Sequence, residues 1–136
     1  MAVDGSLRYD IIDTPSDLET LAAALEREPL LGIDLEADSM YHFQEKVCLI
    51  QLATAQRNVI IDTIAIRDLS PLKPVFRNPD IRKVFHGADY DVRSLYRDFE
   101  IRINALFDTQ LACRFLGFKE TGLEAALDER ALRPAV

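Results

Sequence analysis

Apolar residues recur along the chain in two rhythms, and the switch between them marks out the elements. Leu18, Leu21 and Leu25, with alanines among them, repeat at three- and four-residue intervals, the spacing of one face of a helix. Thr14-Pro15-Ser16-Asp17 stands before them. Thr14 supplies a capping oxygen, Pro15 fits the first turn and Asp17 is placed to complete a capping box, so a helix is predicted to start there and to be ended by Pro29. An extended segment over 7–12 leads into it. Three aliphatic runs follow at 30–36, 47–53 and 58–62, too short for ordinary helices and separated by polar turns; the pattern predicts three consecutive strands in an antiparallel meander. Ser70-Pro71 repeats the cap-then-proline signature and predicts a short helix through Phe76, stopped at Asn78-Pro79. From there strand and helix alternate: strand 81–86, helix 89–99 with Asp89 as its N-cap, strand 103–107, and helix 109–116 closed by Gly117. Such alternation implies parallel pairing through right-handed crossovers.

A meander followed by parallel βα units is an α/β mixed sheet with flanking helices, and the ribonuclease H-like arrangement is one such solution. A doubly wound nucleotide-binding sheet is the competitor, but GxGxxG and GxxxxGK[ST] are both absent, as is the GxSxG of acyl transfer. The 136 residues are 49% hydrophobic with 5 Gly and 6 Pro, which excludes disordered and solenoid classes and predicts one domain over 1–136. No apolar run approaches the roughly 20 residues of a membrane span, and the N-terminus carries no signal-peptide architecture. A soluble cytoplasmic protein with no membrane partner is expected. Cys48 and Cys113 lie far apart in apolar runs without metal-ligand spacing, so both are expected to be reduced core residues.

The net charge of −7 opposes bulk coating of nucleic acid, which is driven by lysine and arginine displacing counterions. The charge is uneven: residues 1–66 hold 12 acids and 4 bases, residues 67–136 hold 11 acids and 12 bases. The acidic half suits divalent cations and the balanced half leaves room for local phosphate contacts; a solvated acidic surface is the plainer reading.

Acidic residues interrupt Leu30-Leu31-Gly32-Ile33-Asp34-Leu35-Glu36-Ala37-Asp38 where a buried strand is predicted. On a strand, Asp34 and Glu36 aim at one face while Ile33 and Leu35 point to the other. Two adjacent anions call for a cation, a basic side chain or water between them, and hard oxygen donors favour Mg²⁺ or Mn²⁺. The alternative is that the strand ends at the surface and both acids are solvated. Asp91 lies in the first turn of the 89–99 helix, beside the side formed by Val92, Leu95, Tyr96 and Phe99, where a helix dipole alone would favour an anion. Coordination shared with Asp34 and Glu36 would also satisfy it. His42 and His86 have no zinc-ligand spacing and read as structural or solvated, and Asp108 reads first as the N-cap of the 109–116 helix and only then as a metal ligand.

Taken in order, these segments resemble the ribonuclease D-like branch of the DEDD 3′-to-5′ exonucleases, a family of ribonuclease H-like fold. The likeness covers most of the chain: Gly32–Glu36 resembles the first exonuclease motif, Lys83–Leu95 the second, and Cys48–Leu52, Ile61-Asp62 through Lys73, and Phe107–Ala112 follow the family pattern between and after them. The resemblance implies two-metal hydrolysis of phosphodiesters at the 3′ end of single-stranded RNA or DNA, releasing nucleoside 5′-monophosphates. It places the metal-bridging aspartate at Asp34, and one ligand to each ion at Glu36 and Asp91.

The family also carries a third motif, a C-terminal helix with Tyr-x-x-x-Asp whose tyrosine orients the water. No tyrosine follows Asp108 here. Tyr9 and Asp13 fit that spacing but precede the first motif in an extended segment, and His86 with Asp91 fits the sister branch's His-x-x-x-x-Asp at the position of the second motif. The chain is therefore expected to be a C-terminally truncated exonuclease domain with metal affinity and rate reduced, since such groups act as a unit. A silent module that keeps the fold and binds nucleic acid or a protein is the alternative; an Asp-x-Asp phosphatase is disfavoured by Glu at position 36.

Overall fold

The computed structural model describes residues 8–38 and 45–128. Six strands form one sheet: β1 (Tyr9–Ile12), β2 (Leu30–Asp38), β3 (Lys46–Ala53), β4 (Asn58–Asp62), β5 (Arg82–Phe85) and β6 (Leu106–Asp108), in the order β1-β4-β3-β2-β5-β6. The meander β2-β3-β4 is antiparallel, and β5 and β6 extend it in parallel from β2, as the pattern predicts. The 7–12 segment does more than lead into a helix: its described residues form a strand paired in parallel with β4, with Tyr9 opposite Asn58 and Ile12 opposite Ile61.

Alternation gives the sheet two unlike faces. Leu31 and Ile33, Ile50 and Leu52, Val59 and Ile61 lie on one face, and all are buried. Helix α1 (Pro15–Leu25) adds Leu18, Leu21 and Leu25 to that core, α2 (Lys73–Arg77) adds Val75 and Phe76, and α3 (Ala88–Phe99) adds Ala88 and Leu95. The opposite face carries Tyr9, Gly32, Asp34, Gln51 and Asn58. It is bordered by α4 (Thr109–Phe115) and α5 (Leu123–Leu127) around a groove of about 810 Å³.

Local chemistry sets the element ends, with some shifts from expectation. Thr14 caps α1, accepting the Asp17 amide at 3.2 Å, but the helix stops at Glu26, before Pro29. Ser70 makes no cap. Asp68 accepts the Ser70 amide at 2.9 Å and its hydroxyl as well, and a 3₁₀ turn over Ser70–Leu72 precedes α2. Helix α3 begins one residue early, after Gly87 at φ +79°, so Asp89 sits inside the first turn and is not the N-cap. Tyr96 is 49% exposed and Ser94 is buried in its stead, because the packed side of α3 runs through 88, 91, 92 and 95. The sixth strand comes later than 103–107, after Ala105 turns the backbone at φ +55°. Gly117, at φ +82°, closes α4 as predicted. Cys113 is buried and Cys48 half-buried, and neither is in a disulfide. No helix among the described residues is long and apolar enough to cross a membrane, and His42 lies outside the described residues.

Candidate active site

The site is built on the exposed sheet face where β2 reaches its C-terminal end. Gly32, Asp34 and Glu36 project there, opposite Ala53, Gln51 and Leu49 of β3. Cys48 is an extra residue in the ladder, because Glu36 pairs with Leu49 while Ala37 pairs with Val47. Its thiol donates to the Glu36 carbonyl at 3.1 Å, so a bulge lies directly beside the second acid. Both carboxylate residues are exposed, in contrast to their buried neighbours Leu31 and Ile33.

Asp91 comes from the first turn of α3 and is half-buried. Burial, with the like charges of Asp34 and Glu36 added to it, pushes its carboxyl up to about 6. The three acids thus share one electrostatic field. Among the described residues no basic side chain pairs with any of them, and no group of three or more His, Cys, Asp or Glu side chains closes into a cluster tight enough to hold an ion. Three carboxylates are hard oxygen donors, a set whose chemistry fits Mg²⁺ or Mn²⁺ better than zinc or a soft metal.

Side chains beyond the acids hold α3 against the sheet. Asp98 accepts the Val47 amide at 2.8 Å, and the Tyr90 hydroxyl bonds to Glu45 at the approach to β3. Asp108 is the N-cap of α4, as its position predicts, accepting the Gln110 and Leu111 amides at 2.9 and 3.2 Å. The same carboxylate also takes the Gly87 and Ala88 amides at 2.9 and 2.8 Å, at the start of α3. Burial would raise its pKa, but these four amides outweigh burial and hold the carboxyl below the usual range. His86 is structural: Nε2 donates to the Thr121 carbonyl at 2.7 Å and Nδ1 meets the Thr109 hydroxyl at 2.8 Å. Tyr9 lies on β1, with Asp13 just beyond that strand, which removes the pair from any helical Tyr-x-x-x-Asp geometry.

Sequence reasoning missed the groove that runs from Asp34 past Gln51 and Asn58 toward Leu116, Leu123 and Leu127. Its one signal was the smallness of Gly32 and Ala53, which face each other on the open side and leave the floor shallow.

Residues 9–131 match the 3′-5′ exonuclease family. The chain is 41% identical to Protein RRP6-like 3 of Arabidopsis thaliana over 121 residues, 88% of this chain and 14% of that protein. It is 38% identical to Ribonuclease D of Gluconacetobacter diazotrophicus over 109 residues, 79% of this chain and 28% of the other. Among solved structures, the catalytic core of RRP6 from Trypanosoma brucei superposes with a TM-score of 0.87 at 37% identity, covering 97% of this chain and 37% of that one. The chain therefore spans well under half the length of each of these proteins.

Proposed function

Because the chain belongs to the 3′-5′ exonuclease family, we propose that Asp34, Glu36 and Asp91 are the catalytic, metal-binding carboxylates of a nuclease that shortens single-stranded nucleic acid from its 3′ end, with two Mg²⁺ or Mn²⁺ ions as cofactors. The observation that carries this reading is the half-buried Asp91 carboxyl, raised to about 6 by burial and by two acids from a distant strand. A protein gains nothing in stability from gathering like charges at one point, and perturbed groups of this kind mark functional sites.

When bound, the ions supply an acidified water for attack and a counter-charge for the departing 3′ oxygen. The chain's own residues do the rest. Asp34, held in the ladder opposite Gln51 of β3, would be the fixed ligand, and Glu36 and Asp91 would complete the donor set that holds the ions. The groove beside Asp34 offers the terminal nucleotide an apolar wall, and Gln51, opposite Asp34, stands at its edge as a polar contact. RNA is the substrate we favour over DNA, on the name of the ribonuclease D relative. The free thiols of Cys48 and Cys113 suit a reducing, cytoplasmic compartment.

A second reading, a silent module that binds nucleic acid or a protein partner without cutting, draws on the fact that no group of three or more His, Cys, Asp or Glu side chains among the described residues is drawn together tightly enough to hold an ion. A 5′-labelled single-stranded RNA in Mn²⁺ separates the two. The exonuclease yields a ladder shortened from the 3′ end that Asp34→Asn abolishes; retention of the intact RNA on the protein without a ladder establishes the silent module.

A further inference from the structure

We infer that Asp108 is a positioning residue for the candidate active site: by clamping the first turn of α3 to the start of α4, it sets where Asp91 stands relative to Asp34 and Glu36. The inference rests on the exonuclease reading of those three acids. One carboxylate accepts four backbone amides, two from each of two helix starts: Oδ1 serves Gly87, Gln110 and Leu111, and Oδ2 serves Ala88. A local N-cap needs only the α4 pair. The other two bonds reach back some 20 residues to the turn that launches α3, and Asp91 follows Ala88 by three residues, within that same turn.

Other tethers on α3 do not do this work. The Asp98–Val47 bond lies at the far end of the helix, and the Tyr90–Glu45 contact joins an exposed tyrosine to half-buried Glu45 at the approach to β3. Gly87 gives the turn little stiffness of its own, since a glycine backbone is the least restricted in φ and ψ. The neighbours reinforce the clamp: the Thr109 hydroxyl donates to the Phe85 carbonyl at 3.0 Å, at the end of the strand before the turn. Placement of a ligand by partners that never touch the metal governs affinity, typically by 10–100-fold.

The test uses the full chain and Mn²⁺ binding, followed by the paramagnetic resonance of free Mn²⁺. Asp108→Ser keeps an oxygen for capping α4 but is too short to span to α3. Asp108→Asn, a milder second variant should serine fail to fold, keeps Oδ1 and loses only the acceptor for Ala88. Thr14→Ala removes the cap of remote α1 and controls for lost stability. Tenfold or greater weakening of Mn²⁺ binding in the folded Asp108 variants, with Thr14→Ala within about twofold of wild type, is the expected result. Unchanged affinity in a folded Asp108 variant overturns the inference. Should the wild type show no Mn²⁺ binding that Asp34→Asn removes, the metal reading fails, and amide exchange decides the clamp separately. Faster exchange spreading from Gly87 and Ala88 to the Val47 amide supports it; loosening confined to the start of α4 overturns it.

Discussion

Asp98 and Val47 are joined across the molecule: the Asp98 carboxylate, near the end of α3, accepts the Val47 amide at 2.8 Å where β3 begins. Because β3 pairs with β2, this bond ties the helix of Asp91 to the strands around Asp34 and Glu36. Burial pushes the Asp98 carboxyl up, but the Arg97 and Val47 hydrogen bonds outweigh it and hold it below the usual carboxylate range, so the acceptor is charged. Asp98→Ala strands a part-buried amide and is expected to cost about 1–3 kcal/mol. The check is a lower urea midpoint at unchanged slope, with Asp98→Asn recovering part of the loss.

The pH dependence of the ion-free protein follows from Asp91. Its folded pKa of about 6 lies above the roughly 3.9 of an unfolded aspartate, so the folded chain holds this proton more tightly. That contribution to stability is complete below about pH 4 and is lost as pH rises through about 6. Asp91→Asn is expected to exceed wild type in stability by about 1–3 kcal/mol at pH 7, with the gap closing near pH 4. Added Mn²⁺ should raise the wild type alone. Urea titrations across this range, with and without Mn²⁺, check both statements.

Lys83 behaves oppositely. It is fully buried on β5, donating to the Asn78 and Asn104 carbonyls at 2.6 and 3.1 Å, and burial pushes its ammonium down to about 8. The unfolded chain holds this proton up to about pH 10.4, so this residue's contribution to stability rises between about pH 8 and 10.4. The two carbonyls favour the ammonium and work against burial, which keeps the gain below about 3 kcal/mol. The difference in stability between wild type and Lys83→Met, followed over that range, should widen in favour of wild type; a flat difference refutes the assignment.

Gly87 tests the turn itself. At φ +79° an added Cβ is strained by its backbone, and it would stand 3.0 Å from Gln110 Oε1, the mobile end of a side chain that gives way. Gly87→Ala is expected to cost about 1–3 kcal/mol and Gly87→Asn less, since asparagine tolerates the left-handed region better. Thermal melts that place alanine at or above asparagine would contradict this order.

Where one local rule acted alone, the sequence was a sufficient guide. Thr14 and Pro15 start α1, Gly117 ends α4, and the three aliphatic runs form the meander. It misled where two rules competed. Asp89 and Ser70 are good caps by residue type, but Asp108 from another segment already holds the start of α3, and Asp68 takes both hydrogens of Ser70. The pairing of β1 with β4 is a contact between segments nearly 50 residues apart, which no local pattern encodes. Asp34 and Glu36 on one face followed from strand periodicity. Their proximity to Asp91 did not, because it depends on where α3 is seated, which is a tertiary matter.

The position of β2 within the sheet gives the two sides of the site different mechanical characters. β3 is paired along one flank through Asp34 and Glu36, and β5 along the other as far as Gly32, two residues before Asp34, so Asp34 shifts little unless the ladder beside it comes apart. Asp91 rides on a lever pinned at a few points. On the exonuclease reading, adjustments to a substrate end would therefore fall to the helix, while the strand would act as the anvil against which they are made.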